Sequence, residues 1–417
     1  MQTAMREGDD RVIRSTARPS DFVRDPKFHS AETPPFRDES GCYHFFSYSH
    51  VIEVLANRDQ ALSRRPPWLV GGHMTYGFMW TFEPFSVNGE EVRHDILRKT
   101  VEPWFRLRSV KTMTPVVQQI TIDLINEVVS RGTGRVNAAT DLSSRLSMRV
   151  ICALTGIDVD QEGWMRERLN EFTSASYSDL PPQFDLQAYF WKLVAKRLLR
   201  PGDELLDVIV TAWRQGEITD EELIGFIFGF IAAGTDTTGA SLANALSYLA
   251  EFDYLDYTRR VLNDDEAVKT IVEEIIRFGT PFPQETQHVL KDTHVGGVAI
   301  PAGSMVTIWF AAANRDEAVN GGEAQSDPNV FDPARSPNRH LGFGWGVHHC
   351  LGANLARLET ATLLREALTR LPGLQMDPSM PFVRKPGIVD MVTDAHFTYD
   401  QDEAEKIMRD GTLAAAR

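Results

Sequence analysis

The 417-residue sequence has little cysteine. Cys42, Cys152 and Cys350 are too few and too scattered for a disulfide framework or a four-cysteine metal site. It also lacks a positive balance: the net charge is −15, which excludes nucleic acid as a main partner, because phosphate binding needs a cationic surface that displaces counterions. The N-terminal stretch MQTAMREGDDRVIRSTARPSDF has no apolar core segment. It reads as neither signal peptide nor membrane anchor, and the expectation is a cytoplasmic protein. The sequence shows no internal repeat, low-complexity tract or interdomain linker.

What is present is an ordinary globular balance, 42% hydrophobic and 24% charged, enough to bury a substantial core. The length exceeds what one small core needs, so the choice lies between two domains and one large helical body. With no linker in view, a single domain over 1–417 is expected. Residues 1–40 carry Pro19, Pro26, Pro34 and Pro35 without a sustained period and read as an irregular wrap. Helical periodicity marks 49–57, 93–107, 113–131, 139–156, 160–177, 185–199, 203–214, 219–250, 265–278 and 350–371. Strand patterns occupy 286–290, 295–300 and 304–309, and 381–399 looks like strands and turns. The fold class is therefore mainly α with small β-sheets.

Thr219 and Glu222 form a T-x-x-E capping box ahead of the run LIGFIFGFIAA. The run is apolar all round, which predicts a central buried helix, and at eleven residues it is too short to cross a membrane. Directly after it, Ala233-Gly234-Thr235-Asp236-Thr237-Thr238 puts an acid and three hydroxyls into a helix built for burial. Two readings stand side by side. Either the threonines bond back to carbonyls one turn earlier, or Gly234 permits a deformed turn that opens a groove and lines it with a proton relay.

In the helix DDEAVKTIVEEIIRF, Glu274 falls on the face of Ala267, Ile271 and Ile275, with Arg277 three residues further on. By itself this pair reads equally as an exposed ion pair of little energetic consequence. The stretch Phe343-Gly344-Trp345-Gly346-Val347-His348-His349-Cys350-Leu351-Gly352 is more specific. Its G-x-G-x-G spacing, without a downstream acid in a strand-loop-helix unit, rules out a dinucleotide fingerprint. Glycines instead let a tight loop lie against a flat ligand, and Cys350 opens the helix LGANLARLETATLLREAL, where the dipole and free amides favour a metal-binding thiolate. Cys152 lies in apolar MRVICALTG and Cys42 in an aromatic stretch, both suited to burial.

These residues resemble the cytochrome P450 family, of the soluble bacterial heme-thiolate type, and the resemblance runs from the helix at Arg93 to the C-terminal strands. F-x-x-G-x-x-x-C-x-G matches as Phe343, Gly346, Cys350 and Gly352; E-x-x-R as Glu274 and Arg277; and the acid-alcohol pair as Asp236 and Thr237. Phe331-Asp332-Pro333-Ala334-Arg335 is similar to the family's F-x-P-x-R, so Arg335 is expected to join Glu274 and Arg277 in a buried network. The resemblance implies a long central helix over a heme b, with Cys350 as its iron ligand. It places Ala233, Gly234, Phe343, Gly344 and Gly352 against the cofactor, and Asp236 and Thr237 in proton delivery to bound oxygen. By the same resemblance, His94, Arg98 and His348 meet the heme propionates. The family's arginine on the strand after the 265–278 helix is replaced by His288, which carries a full charge only below about pH 6.5.

The implied activity is a monooxygenase that hydroxylates or epoxidises an apolar or aromatic small molecule with O2, in bacterial secondary metabolism. Substrate contacts are expected from 63–85, 170–195, Phe282 to Glu285 and the strands near Ile388. No flavin or iron-sulfur domain is visible, so electrons from NAD(P)H would arrive through a ferredoxin and its reductase. Arg98, Lys99, Arg106, Arg108 and Lys111 are the candidate docking patch, and a monomer is expected. Two other readings stay open: oxidative coupling or ring closure without oxygen insertion, and a non-catalytic heme protein that senses a small ligand.

Overall fold

The structure is a computed structural model and describes residues 12–13, 30–58, 60–64, 93–158, 161–174, 184–321, 326–385 and 389–415. The helices in chain order are α1 (Tyr48–Ala56), α2 (His94–Phe105), α3 (Leu107–Thr112), α4 (Thr114–Val129), α5 (Ser144–Thr155), α6 (Glu162–Ser174), α7 (Phe184–Leu199) and α8 (Leu205–Arg214). They continue as α9 (Asp220–Glu251), α10 (Leu255–Val261), α11 (Asp265–Gly279), α12 (Phe310–Ala313), α13 (Glu317–Asn320), α14 (Ala353–Arg370) and α15 (Gln401–Ala415). The strands are β1 (Val12–Ile13), β2 (Phe36–Asp38), β3 (Cys42–Phe45), β4 (Leu62–Ser63), β5 (Arg135–Asn137), β6 (Gln284–Val289), β7 (Thr293–Val295), β8 (Val298–Ile300), β9 (Met305–Trp309), β10 (Gln375–Met376), β11 (Val383–Lys385), β12 (Met391–Asp394) and β13 (His396–Thr398).

A six-stranded sheet in the order β1-β2-β3-β9-β6-β4 gathers the N-terminal strands onto the β6–β9 hairpin. Smaller sheets are β10-β13-β5, β11-β12 and β7-β8. The expected irregular wrap over 1–40 is thus corrected at β1 and β2. These strands are only two and three residues long, β1 pairing with β2 and β2 with the adjacent β3, so no sustained period announces them. The single strand expected at 295–300 is instead a hairpin. Gly296 and Gly297, at φ 56° and 78°, form the two-residue left-handed turn that joins β7 to β8.

The 32-residue α9 is the axis of the helical part. Its start is fixed by the capping box: Glu222 N donates to Thr219 Oγ1 at 3.2 Å, and Thr219 N donates to Glu222 Oε2 at 2.8 Å. Arg93 adds a fork onto the same carboxylate, at 2.5 and 3.0 Å, and so ties the start of α2 to the start of α9. Length and composition alone would let α9 cross a membrane, but 72% of its apolar window is buried inside the protein, as in a core helix. Each fully buried Leu or Ile there contributes roughly 1.5–3 kcal/mol. α5 packs closely along α9 because two glycines leave room for it. A methyl group at Gly234 would come within 2.7 Å of Ile151, and one at Gly239 within 3.2 Å of Ser147 Oγ.

Candidate active site

Cys350 sits in a loop folded back on itself. Gly344 and Gly346 adopt φ 67° and 71°, a left-handed backbone that side chains disfavour. The fold-back lets Cys350 N donate to Phe343 O at 2.8 Å and His349 N to Gly346 O at 3.0 Å. α14 begins at Ala353, so Cys350 precedes the helix rather than opening it. The amides of Gly352 and Ala353 still donate to the sulfur. Surrounding protein raises the thiol pKa by desolvation, opposed by those two amides and by the charges of Arg357 and Arg98. The other two cysteines are different in kind: Cys42 and Cys152 are buried, and desolvation pushes each thiol up to about 12. Cys350 is the open one.

α9 is also open at one place. Its residues are buried through most of their run, yet Ala233 is exposed and Ala232, Gly234, Asp236 and Thr237 are half-buried. The helix runs unbroken there, which lends no support to the deformed-turn reading, and Gly234 packs against Ile151. Thr237 Oγ1 donates to Ala233 O at 2.7 Å, one turn earlier. That bond uses the hydroxyl hydrogen and leaves the oxygen able to accept.

α2 brings basic groups to the cysteine loop. His94 is buried, its ring edge-on to His348 with centroids 5.4 Å apart and an interplanar angle of 83°, and its Nδ1 lies 2.9 Å from Asp95 Oδ1. Arg98 donates to Val347 O and His349 O, each at 3.1 Å, so α2 clasps the loop from outside. Asn354 at the start of α14 donates to Phe105 O at 3.1 Å and closes the other end. Burial drives His348 down to about 2, helped by the charges of Arg64, His94 and Arg98, so it is neutral at pH 7. Arg64, within the 63–85 stretch expected to contact substrate, forks its guanidinium onto Glu285 at 2.8 and 2.5 Å and adds its field to this cluster. It arrives there because β4 pairs with β6, a long-range contact with no local signature. His288 lies on β6 opposite Ser63 and Met305, and burial lowers its pKa, so it brings no charge at neutral pH.

Glu274, Arg277 and Arg335 meet with their side chains fully buried. Arg277 forks onto Glu274 at 2.7 and 2.8 Å, and Arg335 Nε lies 3.3 Å from the same carboxylate. Asp332 N and Asn338 Nδ2 also donate to it, at 2.8 and 2.9 Å. The remaining guanidinium hydrogens reach the carbonyls of Asn314, Pro328, Val330, Asn320, Ser326 and Asp327. This knot anchors the segment that leads into the cysteine loop. Of the expected substrate contacts, 65–85, 175–183 and Ile388 lie outside the described residues.

The cytochrome P450 family model matches residues 187–373. Cytochrome P450 107B1 of Saccharopolyspora erythraea is 32% identical over 337 residues, 80% of this chain and 78% of that one. The chain belongs to the cytochrome P450 family. Erythromycin C-12 hydroxylase of the same organism is 32% identical, over 82% of this P450 and 85% of the relative. Mycinamicin IV hydroxylase/epoxidase of Micromonospora griseorubida is also 32% identical, over 82% and 85%. Among solved structures, a Bacillus megaterium P450 in complex with testosterone superposes with a TM-score of 0.76 at 25% identity, covering 88% of this chain and 95% of that one. A mutant of P450 EryK with erythromycin B gives 0.75 at 27% identity, covering 88% and 93%. This P450 is accordingly a heme-dependent oxidoreductase of the monooxygenase class, with bacterial hydroxylases among its relatives.

Proposed function

We propose that this P450 hydroxylates or epoxidises an apolar small molecule of bacterial secondary metabolism, with heme b held through Cys350. The observation that carries this reading is the contrast among the three thiols. Two are sealed, and the third is open, on a glycine loop, with two amides aimed at its sulfur. A metal centre supplies the positive charge that turns such a thiol into thiolate. The open face at Ala233 and Gly234 gives room for a flat cofactor, and Phe343, Gly344 and Gly352 line the side of the sulfur. His94, Arg98 and His348 would hold the propionates; with His348 neutral it acts as a hydrogen-bond partner, and Arg98 carries the charge.

Bound heme supplies the reductive activation of O2. Thr237, its hydrogen committed to Ala233 O, accepts from and positions a water in the groove. Asp236, half-buried on the same face, passes protons from solvent to that water. Lys99, Arg106, Arg108 and Lys111 are exposed around the outer end of α2 and along α3, with Leu107 among them 56% exposed. They form the landing site for an acidic ferredoxin that relays electrons from NAD(P)H through its reductase. Arg98 is turned inward to the loop and belongs to cofactor binding. A net charge of −15 disfavours self-association and supports the reading as a cytoplasmic monomer.

The test is turnover of compounds that shift the ferric spin state, with ferredoxin, reductase, NAD(P)H and isotopically labelled O2. Label in the product supports oxygen insertion. An unlabelled coupled or cyclised product replaces that reading with oxidative coupling, and binding without any product replaces it with ligand sensing.

A further inference from the structure

Glu273 stands one residue before Glu274, and the 100° step of the helix turns it out of the buried knot and toward α14. There Arg357 forks onto it, Nε to Oε1 at 2.6 Å and Nη2 to Oε2 at 2.9 Å. His340 Nε2 meets Oε2 at 2.8 Å, while its Nδ1 accepts from Gly342 N at 3.2 Å, so Nε2 carries the proton and donates to the carboxylate. Held this way, the Arg357 guanidinium lies over the Phe343 ring, 4.4 Å from its centroid. Phe343 is the residue whose carbonyl accepts the Cys350 amide. One carboxylate therefore gathers both sides of the cysteine loop, His340 before it and Arg357 after it. The ion pair is a dipole with its positive end against Phe343 and its negative end further away.

We propose that the Glu273–Arg357 pair is a positioning device that sets the heme reduction potential: Arg357 braces Phe343 and directs positive charge toward the sulfur, and Glu273 limits how much of that charge is felt. The proposal rests on Cys350 being the heme ligand. A cation beside the sulfur favours the reduced, more electron-rich centre, and a partly buried one is little screened by salt. Glu273 is ionised across the working range, since the His340 and Arg357 bonds outweigh its desolvation and hold the carboxyl down to about 2.

The test is the reduction potential of purified holoenzyme, free of substrate, beside the ferrous-CO spectrum of each variant. Arg357→Met keeps the stem over Phe343 and removes the charge; its potential falls. Glu273→Gln keeps the shape and removes the counter-charge; its potential rises. Arg357→Lys keeps charge without the fork, and its potential lies between that of Arg357→Met and the parent. A merely structural clamp would loosen the loop alike in the first two variants and shift both in one direction. Shifts of the same sign, or unchanged potentials with a thiolate-type CO spectrum, overturn the proposal. If Arg357→Met does not hold heme, the upward shift of Glu273→Gln decides alone, and its absence overturns the proposal. A CO spectrum without thiolate character in the parent protein defeats the ligand assignment itself, a different failure.

Discussion

Two polar clusters, one on α11 and one on α9, have opposite character. On α11, Glu274 and Arg277 have no exposed side chain and every oxygen is engaged, with Arg335 arriving from 61 residues away to complete the knot. On α9, Asp236 and Thr237 lie on the single open face, and the Thr237 oxygen keeps acceptor capacity. Saturated and sealed polar groups are tolerated in a core only because complete partnering offsets their transfer from water, so removing one partner is costly. Polar groups left on an open face have capacity to exchange protons and water. The two clusters should therefore separate when mutated: one governs stability, the other chemistry.

The largest effect belongs to the sealed cluster. Glu274→Gln leaves two buried guanidiniums short of their anion and should cost about 3–5 kcal/mol in denaturant unfolding, with loss of heme-loaded protein. Next is the seam between α9 and α5. Gly234→Ala drives a methyl into Ile151 and should cost about 1–3 kcal/mol, through packing rather than through helix bending. A gain in stability there would show that α5 can move away and that the glycine answers to something else. At the open cluster, Thr237→Ala removes one hydroxyl bond but gains helix propensity, so stability should stay within about 1 kcal/mol. Heme binding persists while reducing equivalents are diverted to peroxide; unchanged product per electron would remove Thr237 from proton delivery. The smallest stability effect is at the surface. Neutralising Lys99, Arg106, Arg108 and Lys111 should change unfolding by no more than about 0.5 kcal/mol yet slow reduction by ferredoxin in a salt-dependent way.

The same contrast marks what could be read from the sequence. The capping box and apolar run of α9 were legible because cap and burial are local signals. E-x-x-R was ambiguous because burial of Glu274 depends on Arg335 and Asp332, which only the folded chain brings near. Nothing local marked Arg64 for the neighbourhood of His348 either, since strand pairing delivers it there. The Glu273–Arg357 fork, 84 residues apart, had no motif to mark it. Gly296-Gly297 was a strong hairpin signal that an apolar run over 295–300 concealed. At α9 the threonine followed the local rule, bonding back to Ala233, and the glycine followed a tertiary one.

The most direct test of the central claim is the ferrous-CO absorption spectrum of Cys350→Ser beside that of the parent protein. The account predicts a thiolate-type band in the parent and its loss in the variant, whereas Cys42→Ala and Cys152→Ala retain it. A thiolate-type band surviving in Cys350→Ser would contradict the assignment of Cys350 as the iron ligand.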